Sequence, residues 1–192
     1  MRLLIFLLLG AVVIAVPWVT HNRLVTSDER AAAAWADVES NLQRRADLVP
    51  TLVRSVQEHM RHESETLLSL VRERAAALGE ALAEARETTA PERLAGLEAA
   101  LAAELGRLMR RAGDYPELRS GDQFLRLQAQ LEGGENRINV ARMRYNAAVR
   151  EYNAALRGFV GRWVAEPMGL QPRAYFEAEP EAGEPVELSF DS

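Results

Sequence analysis

The chain has 192 residues and a formal net charge of −5; it contains no cysteine and no lysine, all 23 basic residues being arginine. Without thiols there are no disulfides, thiolate metal sites or cysteine nucleophiles, and without an amine side chain neither Schiff-base chemistry nor a phosphate-loop lysine is available. An acidic chain without a basic patch is also a poor nucleic-acid binder.

The length suits one domain with appendages, and the wealth of Ala, Leu, Glu and Arg beside only 6% aromatic residues favours helix throughout. Residues 3–19 form an almost unbroken apolar run after Arg2, closing on Pro17, Trp18 and Val19. At ~1.5 Å per residue the run just crosses a hydrocarbon core of ~30 Å, with Trp18 at the interface. A cleavable signal peptide is the rival reading, with Val13-Ile14-Ala15 as its small-residue match. That match lies inside the apolar run with no polar stretch before it, so residues 1–20 read as a retained, single-pass anchor in the cell membrane. Arg2 on one side is balanced by Arg23 and Arg30 on the other, which gives no bias in orientation.

Beyond His21 a helical period resumes. Ala31, Trp35, Val38 and Leu42 repeat at steps of four, three and four, while Asp28, Glu29, Asp37 and Glu39 fall off that line, which predicts a helix over about 20–45. Pro50 has no N–H to donate and disfavours helix at the residue before it. The apolar phase continues through Val49, Leu52 or Val53, and Val56, which leaves a kinked helix open, but a break is expected there because one rod to Leu78 would be ~85 Å long. A second helix is expected from Pro50 to a point between Gly79 and Glu87, burying Leu52, Val56, Met60, Leu67, Leu70 or Val71, and Leu78. Thr89-Ala90-Pro91-Glu92 has the composition of a capped helix start, and the third helix carries Leu94, Leu97, Leu101, Leu105 and Leu108 before Gly113. Asp114-Tyr115-Pro116 reads as the turn.

Ser120-Gly121-Asp122-Gln123 is again a capping box, and it opens the longest unbroken period in the chain. Phe124, Leu127, Leu131, Gly134, Ile138, Ala141, Tyr145, Ala148, Tyr152 and Ala155 alternate steps of three and four, placing all ten on one seam facing partner helices. After Gly158 the pattern fragments into a short amphipathic turn over 159–168. Residues 166–192 read as an irregular acidic tail, poorly ordered from Glu177 onward, in which residues 186–190 alternate like a strand. The expected fold is all-α, with an N-terminal transmembrane helix followed by an antiparallel four-helix bundle over 21–165 whose last helix is long.

Three clusters carry candidate chemistry. His59, His62 and Glu63 share a helical face and offer a divalent-metal donor set. They match neither the metalloprotease spacing nor the paired Glu-x-x-His pattern of di-iron bundles, so they read as a solvated polar face. Arg44 and Arg45 with Asp47, beside Pro50, suggest an anion or lipid-headgroup site, against which stands a charged pair locking an interhelical turn. Tyr145-Asn146 and Tyr152-Asn153 recur seven residues apart with Arg142 alongside. They form either a polar ligand groove or core tyrosines whose hydroxyls, with the asparagines, reach neighbouring elements. No nucleophile, base and orienting acid can be assembled, so neither an enzyme nor a cofactor is implied.

Trp35, the run Arg44-Arg45-Ala46-Asp47-Leu48-Val49-Pro50-Thr51-Leu52-Val53, His62-Glu63, Tyr115-Pro116-Glu117-Leu118, Phe124, Glu135-Asn136-Arg137-Ile138, Ala141-Arg142, Tyr145-Asn146, Val149, Tyr152-Asn153 and Tyr175-Phe176 together resemble the LemA family, over about residues 35–178. The resemblance implies a bacterial membrane protein with one N-terminal helix and an antiparallel four-helix bundle, and it brings no established biochemical activity. Thr51 departs from the family's usual Asn, and Gly134 stands where a small polar residue is common. The resulting expectation is a membrane-anchored, non-enzymatic interaction or scaffold module, with the lipid bilayer and a protein as partners and no nucleic acid. The alternative is a membrane sensor binding a metal or small ligand.

Overall fold

The computed structural model describes residues 2–57, 65–85, 91–116 and 121–176. Within them the chain is all-helical, with five helices: α1 (Arg2–Gln57), α2 (Glu65–Ala85), α3 (Pro91–Ala112), α4 (Asp122–Arg157) and α5 (Phe159–Ala165). The strand-like stretch 186–190 lies outside the described residues.

The expected break at Pro50 is absent, and α1 runs through it to Gln57. A proline inside a helix costs ~3 kcal/mol. Continuing the helix keeps Val49, Leu52, Val53 and Val56 in phase with Leu42, and all five side chains are at most 1% exposed. Burying each is worth ~1.5–3 kcal/mol, so the sum outweighs one proline. Pro50 itself is exposed. Arg44-Arg45-Ala46-Asp47 therefore lies mid-helix rather than beside a turn.

The chain divides into two compact units, one formed by Met1–Leu42 with Gly133–Tyr175 and the other by Gln43–Glu132 with Phe176–Ser192. In the first, α1 and α4 run antiparallel. Leu24 packs with Tyr152 and Leu156, Arg30 meets Glu151 at 3.4 Å, and the Trp35 ring lies 5.0 Å from that of Tyr145, so numbers rise on one helix as they fall on the other. The predicted seam of α4 faces inward here, with Ile138, Ala141, Tyr145 and Tyr152 at most 4% exposed.

A bend at Gly158 brings α5 against the last turn of α4. A Cβ on Gly161 would stand 2.0 Å from the Ala155 carbonyl oxygen, so only glycine permits this approach. Ala165 and Val164 pack against the Leu24, Tyr152 and Leu156 cluster, while Phe159 and Trp163 on the other face are 83% and 72% exposed. α5 then closes in a Schellman arrangement: Leu170 N–H donates to Ala165 O and Gly169 N–H to Glu166 O, both at 3.2 Å, with Gly169 at φ 66°. Leu170 packs back onto the same cluster.

In the second unit, α2 and α3 pack against each other across a five-residue connection. Val71, Leu78, Leu94, Leu101, Leu105 and Leu108 are buried as the periodicity predicts, but Leu97 is half-buried, Met60 lies outside the described residues, and the phase of α2 is set by Leu68, 3% exposed, and not by half-buried Leu67. Phe124, Leu127 and Leu131 bury the opening turns of α4. Glu98 and Glu104 of α3 are also buried, both at 8% exposure.

Candidate functional site

The densest polar constellation in the first unit forms around residues 171–175, an irregular segment outside the helices. Its backbone groups must therefore find partners elsewhere. Tyr145 Oη donates to Ala174 O at 2.9 Å and Tyr152 Oη to Gln171 O at 3.0 Å. Asn153 makes two bonds with one residue, its Nδ2 donating to Arg173 O at 2.9 Å while Arg173 N–H donates to its Oδ1 at 3.0 Å. That pairing imitates one rung of a β-ladder, with a side-chain amide standing for the missing strand. The seven-residue spacing of the tyrosines puts both hydroxyls on the same face of α4, one two turns above the other.

The Arg173 side chain then reaches α1. Its Nε donates to Asp28 Oδ1 at 2.7 Å, and its guanidinium carbon stands 5.9 Å from the centre of the Tyr152 ring. Burial holds the Tyr145 hydroxyl above its ordinary range, with Arg173 pulling the other way. Burial likewise raises Tyr152, Asp28 adding to the rise and Arg173 opposing it. Arg173 is raised chiefly by its hydrogen bond to Asp28. Each shift favours the form the geometry uses: neutral phenols that donate to carbonyls, and a charged guanidinium facing a carboxylate. The result is a clamp on the C-terminal segment, built from groups whose hydrogen bonds go to the chain itself.

Neither Asp28 nor Arg173 was singled out from sequence. The available signal was that Arg173 is the last basic residue before an all-acidic stretch.

In the second unit Arg45, 5% exposed, donates to Glu98 of α3. Its Nε and the second carboxylate oxygen of Glu104 are buried without a hydrogen-bond partner. Arg44, Asp47 and Pro50 are exposed. Asp47 and Pro50 border a recess of about 490 Å³ between α1 and α2, where Gln43 donates to Asp47 and Arg72 to Gln57, each at 2.8 Å. Tyr115 is half-buried and Pro116 exposed after the end of α3, and Arg142 and Asn146 are half-buried on α4. Of the sequence-selected residues, then, Tyr145, Tyr152 and Asn153 converge on one segment. Arg44, Arg45, Asp47 and Pro50 belong to the other unit. The metal candidates His59, His62 and Glu63 lie outside the described residues; among the described residues no group of three or more His, Asp or Glu is placed to hold a metal.

The LemA family model matches residues 34–190. No curated protein matches the chain.

Proposed function

The chain belongs to the LemA family, and from that membership and the course of α1 we propose that it is a membrane-tethered, non-enzymatic interaction module at the bacterial cell membrane. One observation carries the reading: a single uninterrupted helix changes surroundings along its length. Leu4, Phe6, Val13, Ile14 and Trp18 are each 68–74% exposed, whereas Leu24, Ala31, Val38 and Leu42 are fully buried. Water-exposed aliphatic side chains each forgo ~1.5–3 kcal/mol of burial, which a bilayer restores. The N-terminal part of α1 has the length and hydropathy of a membrane span.

Two further features support an interaction role. The clamp hydroxyls and amide, and the Arg45 and Glu98 pair, serve to hold the fold. Beyond Phe176 the sequence carries six carboxylates and no basic residue, a charge pattern suited to a basic protein surface.

Alkaline carbonate extraction of membranes expressing the full chain tests the tether. The wild type should stay in the pellet with an intact N-terminal mass, and Leu8→Arg/Val12→Arg should leave it. Release of the wild type, or loss of residues 1–15 from the mature protein, refutes the tether. Cross-linking in the same membranes tests the partner: a discrete adduct that weakens when residues 177–192 are deleted is expected, and its absence from both forms refutes the interaction role.

A further inference from the structure

The two faces of α5 differ sharply in what covers them. Gly161 and Ala165 are buried against the first unit, whereas Phe159 and Trp163 stand 83% and 72% exposed. Four residues apart on a helix, these two side chains leave α5 on one exposed face.

Their position gives that surface a meaning. Thr20 and Arg23 of α1 line one recess with Gly158, Val160 and Gly161, so α5 lies beside the turn of α1 that follows the last residue of the apolar run, Val19. Trp18, one turn earlier, is itself 68% exposed. A helix leaving a hydrocarbon core does so at the level where tryptophan and other aromatics partition best. The charges fit the same layer: from residue 157 to 169 the chain carries Arg157, Arg162 and one carboxylate, Glu166, and Arg23 stands across the recess. Arginines at this depth face lipid phosphates.

We propose that α5 is a second membrane contact, in which Phe159 and Trp163 insert into the interfacial layer of a phospholipid bilayer while Arg162 and Arg23 meet the headgroups. The inference rests on residues 1–20 being an anchor and deepens that reading. A tether alone leaves the helical body free to tilt; a second contact beside the exit point fixes which side faces the lipid. The rings need enter only ~5–10 Å, the depth at which interfacial helices sit.

The test uses the full chain in phosphatidylcholine and phosphatidylglycerol vesicles. The protein has three tryptophans, and Trp35 is buried in the first unit. The emission of Trp18→Phe minus that of Trp18→Phe/Trp163→Phe therefore isolates Trp163, once circular dichroism shows both variants equally helical. With lipids brominated near the carbonyl end of the acyl chain, this difference signal should be blue-shifted and fall roughly two-fold. Undiminished Trp163 emission from protein that floats with the vesicles overturns the α5 contact and leaves the anchor standing. Protein that fails to float overturns both. Protection from aqueous acrylamide without quenching by bromolipid assigns the aromatic face to a second copy or another protein, and overturns the lipid contact.

Discussion

Asn153→Ala tests the clamp most directly, because the side chain it removes is almost fully buried and bonded twice to one residue. Both the N–H and the C=O of Arg173 use Asn153, at 3.0 and 2.9 Å. Two such bonds contribute ~0.5–1.5 kcal/mol each, and leaving their main-chain partners half-buried without replacement brings the total to about 2–3 kcal/mol. Tyr145→Phe and Tyr152→Phe are the matched comparisons. Each keeps a ring that is at most 1% exposed and loses a single bond. Their acceptor carbonyls belong to the exposed residues Ala174 and Gln171, where water takes over, so each should cost about 0.5–1.5 kcal/mol. The assay is native-state amide exchange, read at Arg173 itself, whose N–H is protected by the contact under test. Asn153→Ala should accelerate that exchange roughly 30- to 150-fold, and either tyrosine variant roughly 2- to 13-fold. An acceleration below about threefold in Asn153→Ala, or a larger effect from Tyr152→Phe, would refute the assignment of the amide pair as the principal hold.

Alkali should loosen the same clamp. Burial holds both tyrosine hydroxyls above the ordinary value of about 10. With the folded pKa above the unfolded one, their contribution is whole below about pH 10 and is lost as pH rises through the folded values. Melting temperatures across that window should fall less for Tyr145→Phe/Tyr152→Phe than for the wild type, and parallel curves would count against the linkage. Gly161→Ala should destabilise by about 2–4 kcal/mol or detach α5, since its Cβ would meet Ala155 O at 2.0 Å. Gly79→Ala, with nothing within 4 Å of the new atom, should stabilise by about 0.5–1 kcal/mol; thermal unfolding of the pair should give opposite signs. Glu98→Ala leaves the Arg45 guanidinium without that carboxylate and should cost about 3–5 kcal/mol in denaturant titrations, whereas Arg45→Met/Glu98→Leu should return to within about 1 kcal/mol of the wild type. Additive costs in that cycle would show the two charges to be uncoupled.

Much of the fold was legible because apolar period is a local signal that packing then uses. The seam of α4 reads directly from Phe124 to Tyr152, and α3 from Leu94 to Leu108. Pro50 misled for the opposite reason: its effect on the backbone is local, while the burial of Val49, Leu52, Val53 and Val56 that overrides it is a property of the assembled unit. The same holds for Glu98, which reads as a solvated charge until Arg45 is brought to it. At the clamp, sequence supplied the donors, since Tyr145, Tyr152 and Asn153 recur at helical spacing, but it did not supply their acceptors. Any residue between Leu170 and Phe176 offers the same carbonyl, so no side-chain pattern marks the segment that receives these bonds. Only Arg173, whose side chain also finds Asp28, left a trace in composition.

The unbroken course of α1 from the apolar run into the first unit has a mechanical consequence. A helix without a joint cannot absorb rotation between its two ends. If the first turns are seated in lipid, Leu42 lies ~35 Å from the exit near Val19, and a 10° change in tilt would swing it through ~6 Å, a tilt of the size that bilayer thickness imposes on spanning helices. The pair of α1 and α4 would then turn together with the tether, taking up a change in bilayer thickness as rotation.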